Sequence, residues 1–199
     1  VARLIVGSNR NDILARWLTA NDMSVRAVEP TLSPSMDIQV SSNFERLLFE
    51  LLGRDAAATR EAMRRFRAEG RMPVPDAAWR EATALFRGFA LDDAGTLAEI
   101  RRLHAESGYL ADPHTAIGTA AARAAGLAPE DPAIPVVVAA TAHPAKFPDA
   151  VEQATGLRPP LPPRLADLYE RPERYRVLPP DLDAIEAAVR SHALRNGPA

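Results

Sequence analysis

The run Pro135–Ala140 (PVVVAA) does most to limit what this chain can fold into. It is continuously apolar and built on Val136, Val137 and Val138, with the length and β-branching of a buried parallel strand. Such a strand needs helices over its faces and other strands beside it. The chain supplies few of those strands. Arg3–Gly7 reads as one, and Phe86–Leu91 as another, with Gly88 marking a bulge or a close approach. Val25–Val28 is a candidate for one more. Two to four strands are too few to form a doubly covered sheet alone. The expectation is an α/β fold, rich in helix, whose sheet continues outside these residues.

Helices are signalled by periodicity and caps. Asp12 is placed to cap a helix carrying Ile13, Leu14, Trp17 and Leu18 at helical spacing. Ser41 or Ser42 precedes Phe44, Leu47, Leu48 and Leu51, with Glu45 three residues after Ser42 as in a capping box, and Gly53 at the end. Residues 55–70 and 75–86 read as helices separated by Pro73 and Pro75, the first with Met63 and Phe66 inside. Asp92 or Asp93 starts another, ending near Gly108. Asp112 caps a further helix with Pro113 in its first turn, ending at Gly126. Pro148–Thr155 is a short helix stopped by Gly156. Residues 158–180 are proline-dense and read as an extended strap over another surface, and Asp181–Ala193 as a terminal helix.

Composition removes several functions. The 199 residues hold no cysteine, which excludes a disulfide, a thiol nucleophile and cysteine-ligated zinc. A formal charge of −2 and the absence of a basic run interleaved with aromatics give no reason to expect nucleic acid as a partner. No apolar run approaches a membrane span, and a cytoplasmic protein is expected. The opening on Val1, directly before an apolar strand, gives the expectation of an incomplete chain.

The polar chemistry lies in four segments: Pro30–Asp37 (PTLSPSMD), Ser41–Arg46 (SSNFER), Asp112–Thr115 (DPHT) and Thr141–Phe147 (TAHPAKF). Thr141 follows the best strand, where a hydroxyl projects from the carboxyl end of a sheet; a helix cap or a turn explains it equally. His114 and His143 sit at element boundaries, as satisfied structural histidines or as a group that exchanges protons or contacts substrate. Asn9, Asn11 and Asp12 form a polar turn after the first strand, and Ser33, Ser35, Ser42 and Asn43 lie on hydroxyl-rich loops. These residues line a ligand or satisfy their own backbone. Lys146 is the chain's single lysine and reads as a solvated, structural or anion-facing cation.

In their order and wording these four segments resemble threonine synthase, a pyridoxal-phosphate (PLP) enzyme. The resemblance runs from Val1 to about Leu178 and corresponds to the back half of that family. It implies a tryptophan-synthase-β-like (fold type II) large domain, of which residues 1–178 are the carboxy-terminal part and residues 179–199 a terminal helix and tail. It implies PLP as cofactor and O-phospho-L-homoserine as substrate, which loses phosphate and gains water to give L-threonine. It puts Thr141 at the cofactor's pyridine nitrogen, where a neutral hydroxyl leaves that nitrogen largely unprotonated. Asn9, Ser42, Asn43, His114, His143 and Lys146 become candidates for lining the site.

The departures from the family pattern are as informative. The lysine that forms the Schiff base belongs to a phenylalanine–lysine–aspartate segment absent here, so Lys146 is not that lysine. The phosphate-binding loop and the small closing domain are absent too. No catalytic residue is therefore expected in this chain, which is inactive alone and has the amino-terminal part of the enzyme as its partner. The competing expectations are a non-catalytic stand-alone homologue, acting as a binding or regulatory module, and a different PLP lyase such as a dehydratase.

Overall fold

A computed structural model describes residues 1–72, 74–126 and 134–195. The chain divides into two compact units, residues 1–160 and residues 161–199.

In the first unit, strand β1 (Leu4–Ser8) and strand β2 (Phe86–Ala90) pair in parallel, with Val6 opposite Gly88 and Gly7 opposite Phe89. Between them run α1 (Ile13–Ala20), α2 (Phe44–Leu51), α3 (Ala56–Glu69) and α4 (Asp76–Leu85). After β2 come α5 (Asp93–Ser107), α6 (Pro113–Ala124) and α7 (Pro148–Thr155). Paired residues of a parallel ladder point to the same face, and neighbours along a strand to opposite faces. Two glycines show what each face carries. A Cβ on Gly88 would lie 2.7 Å from the α1 backbone at Ala15, and one on Gly7 would lie 3.0 Å from Ile117 of α6. The two helices therefore pack on opposite faces of the pair, close enough that glycine is required at Gly88.

The main core gathers on the α1 side. Ile13 and Trp17 of α1 meet Phe44 and Leu48 of α2, Met63 and Phe66 of α3, and Ala78 and Ala82 of α4. Trp17 and Phe44 meet edge to face, ring centroids 4.7 Å apart. Full burial of each such side chain contributes about 1.5–3 kcal/mol. A smaller cluster joins Ile100 of α5, Ala116 of α6 and Ala154 of α7. Beside it Glu99, 2% exposed, is held by Arg102, Thr119 and Arg123. Burial raises the Glu99 pKa, but those partners outweigh it and hold the carboxyl below its ordinary value.

Most of the helices fall within a residue or two of their expected bounds, because periodicity and caps determine them locally. Asp55, Asp92 and Asp112 accept the amide N–H groups of the first turns they precede. Gly70, Gly108 and Gly156 end α3, α5 and α7 in the left-handed conformation.

Four local expectations fail. Pro135–Ala140 forms no strand; Val136 and Val137 are 41% and 85% exposed. A parallel strand needs neighbours, and the two strands present pair only with each other among the described residues. Val25–Val28 is irregular too; beside it Ser24 and Arg71 form an isolated bridge. The capping box before α2 does not close: Asn43 occupies the cap position in helical conformation, and its side-chain oxygen accepts from Arg46. Asp12 precedes α1, but its carboxylate takes the Arg16 guanidinium at 2.9 Å and caps no amide. Pro73, expected to separate α3 from α4, lies outside the described residues.

The second unit holds 3₁₀ turns at Pro163–Leu165 and Leu168–Glu170 and ends in α8 (Leu182–Arg195). Among the described residues no helix is long and apolar enough to cross a membrane, and no acidic–histidine group could hold a metal.

Candidate functional site

Beyond β1 the chain turns through Asn9 and Asn11, buried to 1% and 4% exposure. Two asparagines so buried must find partners. They find them in the segment Glu29–Asp37. The Asn9 amide donates to Asp37 Oδ1 and to Thr31 Oγ1 at 2.8 Å each, and to Ser33 Oγ at 3.0 Å. Asn11 donates to Asp37 Oδ1 at 3.0 Å and to the Glu29 carbonyl at 2.8 Å. Asp37 is the hub, since its two oxygens also accept the Thr31 hydroxyl and the Thr31 amide. Asn9 Oδ1 in turn accepts the Asn11 amide, which fixes the turn itself.

The same loop is tied to α6 through one histidine. His114 Nε2 accepts the Ser35 amide N–H at 3.3 Å, so that nitrogen carries no proton. The ring proton is then on Nδ1, which donates to Asp112 Oδ1 at 3.0 Å. Asp112 is fully buried and also accepts the His114 and Thr115 amides and the Thr115 hydroxyl. Burial raises its pKa, yet the hydrogen bonds from His114 and Thr115 outweigh it and hold the carboxyl below its ordinary value. Both nitrogens of His114 are therefore committed. The histidine ties the loop to α6.

The fourth segment joins at the His114 ring. Phe147 packs against it with centroids 4.7 Å apart, and Lys146 Nζ lies 5.5 Å from the Phe147 centroid. His143 precedes a 3₁₀ turn (Pro144–Lys146), and its Nδ1 accepts the Ala145 amide at 3.1 Å. This leaves Nε2–H without a partner among the described residues, on an exposed side chain. Thr141 lies on the irregular run after Ala140, exposed, with no hydrogen bond to any described residue. Between β1, the start of α1 and Ser35–Ser41 lies a cavity of about 100 Å³, lined by Ser8, Asn11, Ser35 and Met36 among others.

His143 bonds the turn that follows it, whereas Asn9, His114 and, through Phe147, Lys146 belong to one connected region with the PSMD loop. Ser42 and Asn43 do not: both are exposed, and Ser42 borders an open groove with Glu45, Arg46 and Arg60. Sequence reasoning missed Asp37 and Phe147, which carry the connections. An acidic residue ending a hydroxyl-rich loop, with an Asn-x-Asn turn elsewhere needing acceptors, was the available signal for Asp37.

A family model described as "Threonine synthase, C-terminal" matches residues 115–189. The threonine synthase of Pseudomonas aeruginosa is 48% identical over the whole chain, which covers 42% of that protein. That of Corynebacterium glutamicum is 37% identical over 95% of the chain and 40% of its own length. Among solved structures, PLP-bound threonine synthase from Brucella melitensis superposes with a TM-score of 0.83 at 44% identity. That match covers 96% of this chain and 40% of the other. Yeast threonine synthase gives 0.80 at 28% identity, covering 98% and 42%. The chain spans about two-fifths of the length of the curated relatives it matches.

Proposed function

Because the chain matches the carboxy-terminal part of the threonine synthase family from end to end, we propose that it serves as that part of such an enzyme. The reaction is conversion of O-phospho-L-homoserine and water to L-threonine and phosphate, with PLP as cofactor. The observation that carries this is the superposition on a PLP-bound threonine synthase across nearly all of this chain. The partner is the amino-terminal part of the enzyme. A cytoplasmic location belongs to the same proposal and rests on the biosynthetic reaction.

PLP, when bound, supplies an electron sink for deprotonation beside the amino group. The residues here fit one side of that group. Thr141 offers a hydroxyl with no partner among the described residues, fitting a neutral contact to a pyridine nitrogen. The lysine and the phosphate cradle come from the partner, since Lys146 is the single lysine and sits over Phe147. His143, with one ring nitrogen uncommitted, is the histidine suited to proton exchange; His114 and Asp112 hold the PSMD loop. Lys146, without an acidic partner among the described residues, is suited to a substrate anion.

The test is reconstitution. The chain is combined with the remainder of the Pseudomonas aeruginosa enzyme, and phosphate release from O-phospho-L-homoserine is measured. Release that needs both pieces, and falls about tenfold or more with Thr141→Val, supports the reading. A complex that forms, takes up PLP and releases no phosphate overturns it. The alternative of a non-catalytic binding module draws on one observation, the core that closes among α1, α2, α3 and α4. It predicts the inactive complex.

A further inference from the structure

The cavity beyond β1 is bordered by polar groups that the fold leaves unused. It measures about 100 Å³, with Val6, Ile13 and Leu14 on its apolar wall and Ser8, Ser35 and Ser41 beside them. Val6 and Ser8 are two apart on β1, on the face that Gly88 turns to α1. The Ser8 side chain therefore points to the start of α1, where the cavity lies. Ser8 and Ser41 are 7% and 8% exposed, and Ser35 is exposed. None of the three hydroxyls bonds to a described residue; Ser35 is tied to His114 by its amide alone. Asn11 also borders the cavity, but both ends of its amide are engaged by Glu29 and Asp37. A buried hydroxyl without a partner costs free energy, and native proteins satisfy such groups with ordered water.

The chemistry of the wall selects the ligand. No cationic side chain lines the cavity among the described residues. Asp37, whose partners are all neutral, lies one hydrogen bond away through Asn11. Both features disfavour a phosphate or a carboxylate there. Hydroxyls that donate and accept suit a ligand that does both. The volume takes about two or three waters at about 30 Å³ each. We propose that this cavity holds the water that the threonine synthase reaction consumes. This rests on the functional reading above, in which one substrate and one water give one threonine and one phosphate. The position fits that role, since ligands of parallel α/β sheets bind beyond the carboxyl ends of the strands. The PSMD edge of the cavity is also joined through Ser35 to His114, and through that ring to Phe147 and Lys146.

The experiment assembles the whole chain with the remainder of the Pseudomonas aeruginosa enzyme and PLP, and measures every product formed from O-phospho-L-homoserine. The native complex is expected to yield threonine and phosphate in equal amounts. The double variant Ser8→Ala/Ser41→Ala removes two hydroxyls and no bond to a described residue. Phosphate still leaves, but the threonine-to-phosphate ratio is expected to fall at least about fivefold. The balance leaves as a 2-amino enoic acid, which bulk water hydrolyses to a 2-oxo acid and ammonia. Ser35→Ala, on an exposed side chain, is expected to lower the ratio at least about twofold with no change in melting temperature. Ser8→Thr keeps the hydroxyl and is expected to keep the ratio. Crystals of the native complex are expected to show water on the Ser8 and Ser41 hydroxyls. An unchanged ratio in whichever of the two alanine variants assembles overturns the proposal and leaves the functional reading standing. A side chain of the amino-terminal part filling the cavity in the crystal also overturns it. A native complex that takes up PLP and releases no phosphate sinks the functional reading, and the water's role in turnover with it.

Discussion

Replacing Asp112 with alanine tests the polar framework at its most buried point. Asp112 is fully buried and accepts from four donors on His114 and Thr115. Loss of the cap costs about 1 kcal/mol. Two buried donors, His114 Nδ1–H and the Thr115 hydroxyl, also lose their acceptor, at about 1–3 kcal/mol each. Water entering the space left behind recovers part of this, so the expected loss for Asp112→Ala is about 3–5 kcal/mol. Asp112→Asn keeps one acceptor oxygen for His114 and lets the Thr115 hydroxyl turn to accept, so it should lose only about 1–2 kcal/mol. Urea denaturation reports both, followed by the fluorescence of Trp17 and of Trp79, whose Nε1 donates to the Trp17 carbonyl. The Ser35 amide gives a local readout, because it donates to His114 and should exchange faster in both variants, most in the alanine one. Equal midpoints for the two variants, or a loss under 1 kcal/mol for alanine, would refute the reasoning.

Gly88→Ala places a methyl 2.7 Å from the α1 backbone, where nothing flexible can yield. It should cost at least about 1–3 kcal/mol in the same denaturation assay. Glu99→Ala leaves Arg102 and Arg123 without their buried partner. Because both arginines are partly exposed, the loss should be about 1–3 kcal/mol rather than that of a fully buried pair. The carboxyls of Asp112 and Glu99 both lie below their ordinary values in the folded chain. Each therefore stabilises above the ordinary carboxylate range and loses that contribution as pH falls through its folded value. The melting temperature should be flat above about pH 5 and decline below about pH 4, less steeply in Glu99→Gln.

What could be read from the residues follows the range of the interactions involved. Helices α3, α5, α6 and α7 were legible because the spacing of Met63 and Phe66, caps such as Asp92 and Asp112 and stops such as Gly108 and Gly156 act within a turn or so. Gly88 as a point of close approach was legible from its place inside a strand. The site was legible only in part. Its hydrogen bonds join residues up to 79 apart in sequence, as at Ser35–His114, and no local rule brings them together. The four segments marked where to look, whereas Asp37 as a hub and Phe147 as a packing surface needed the tertiary structure. Val136–Val138 shows the opposite case. Its composition describes a buried strand, and the structure leaves Val136 and Val137 exposed, because burial of that kind requires neighbours that these residues do not supply.

The central claim is that this chain forms one side of a PLP site whose lysine lies elsewhere. The direct measurement is reduction with borohydride after incubation with PLP, for the chain alone and for its complex with the amino-terminal part, followed by peptide mass spectrometry. The account predicts no stoichiometric pyridoxyl adduct on Lys146 in either sample and one adduct on a lysine of the amino-terminal part in the complex. A stoichiometric adduct on Lys146 would contradict it, by showing that this chain carries the cofactor itself.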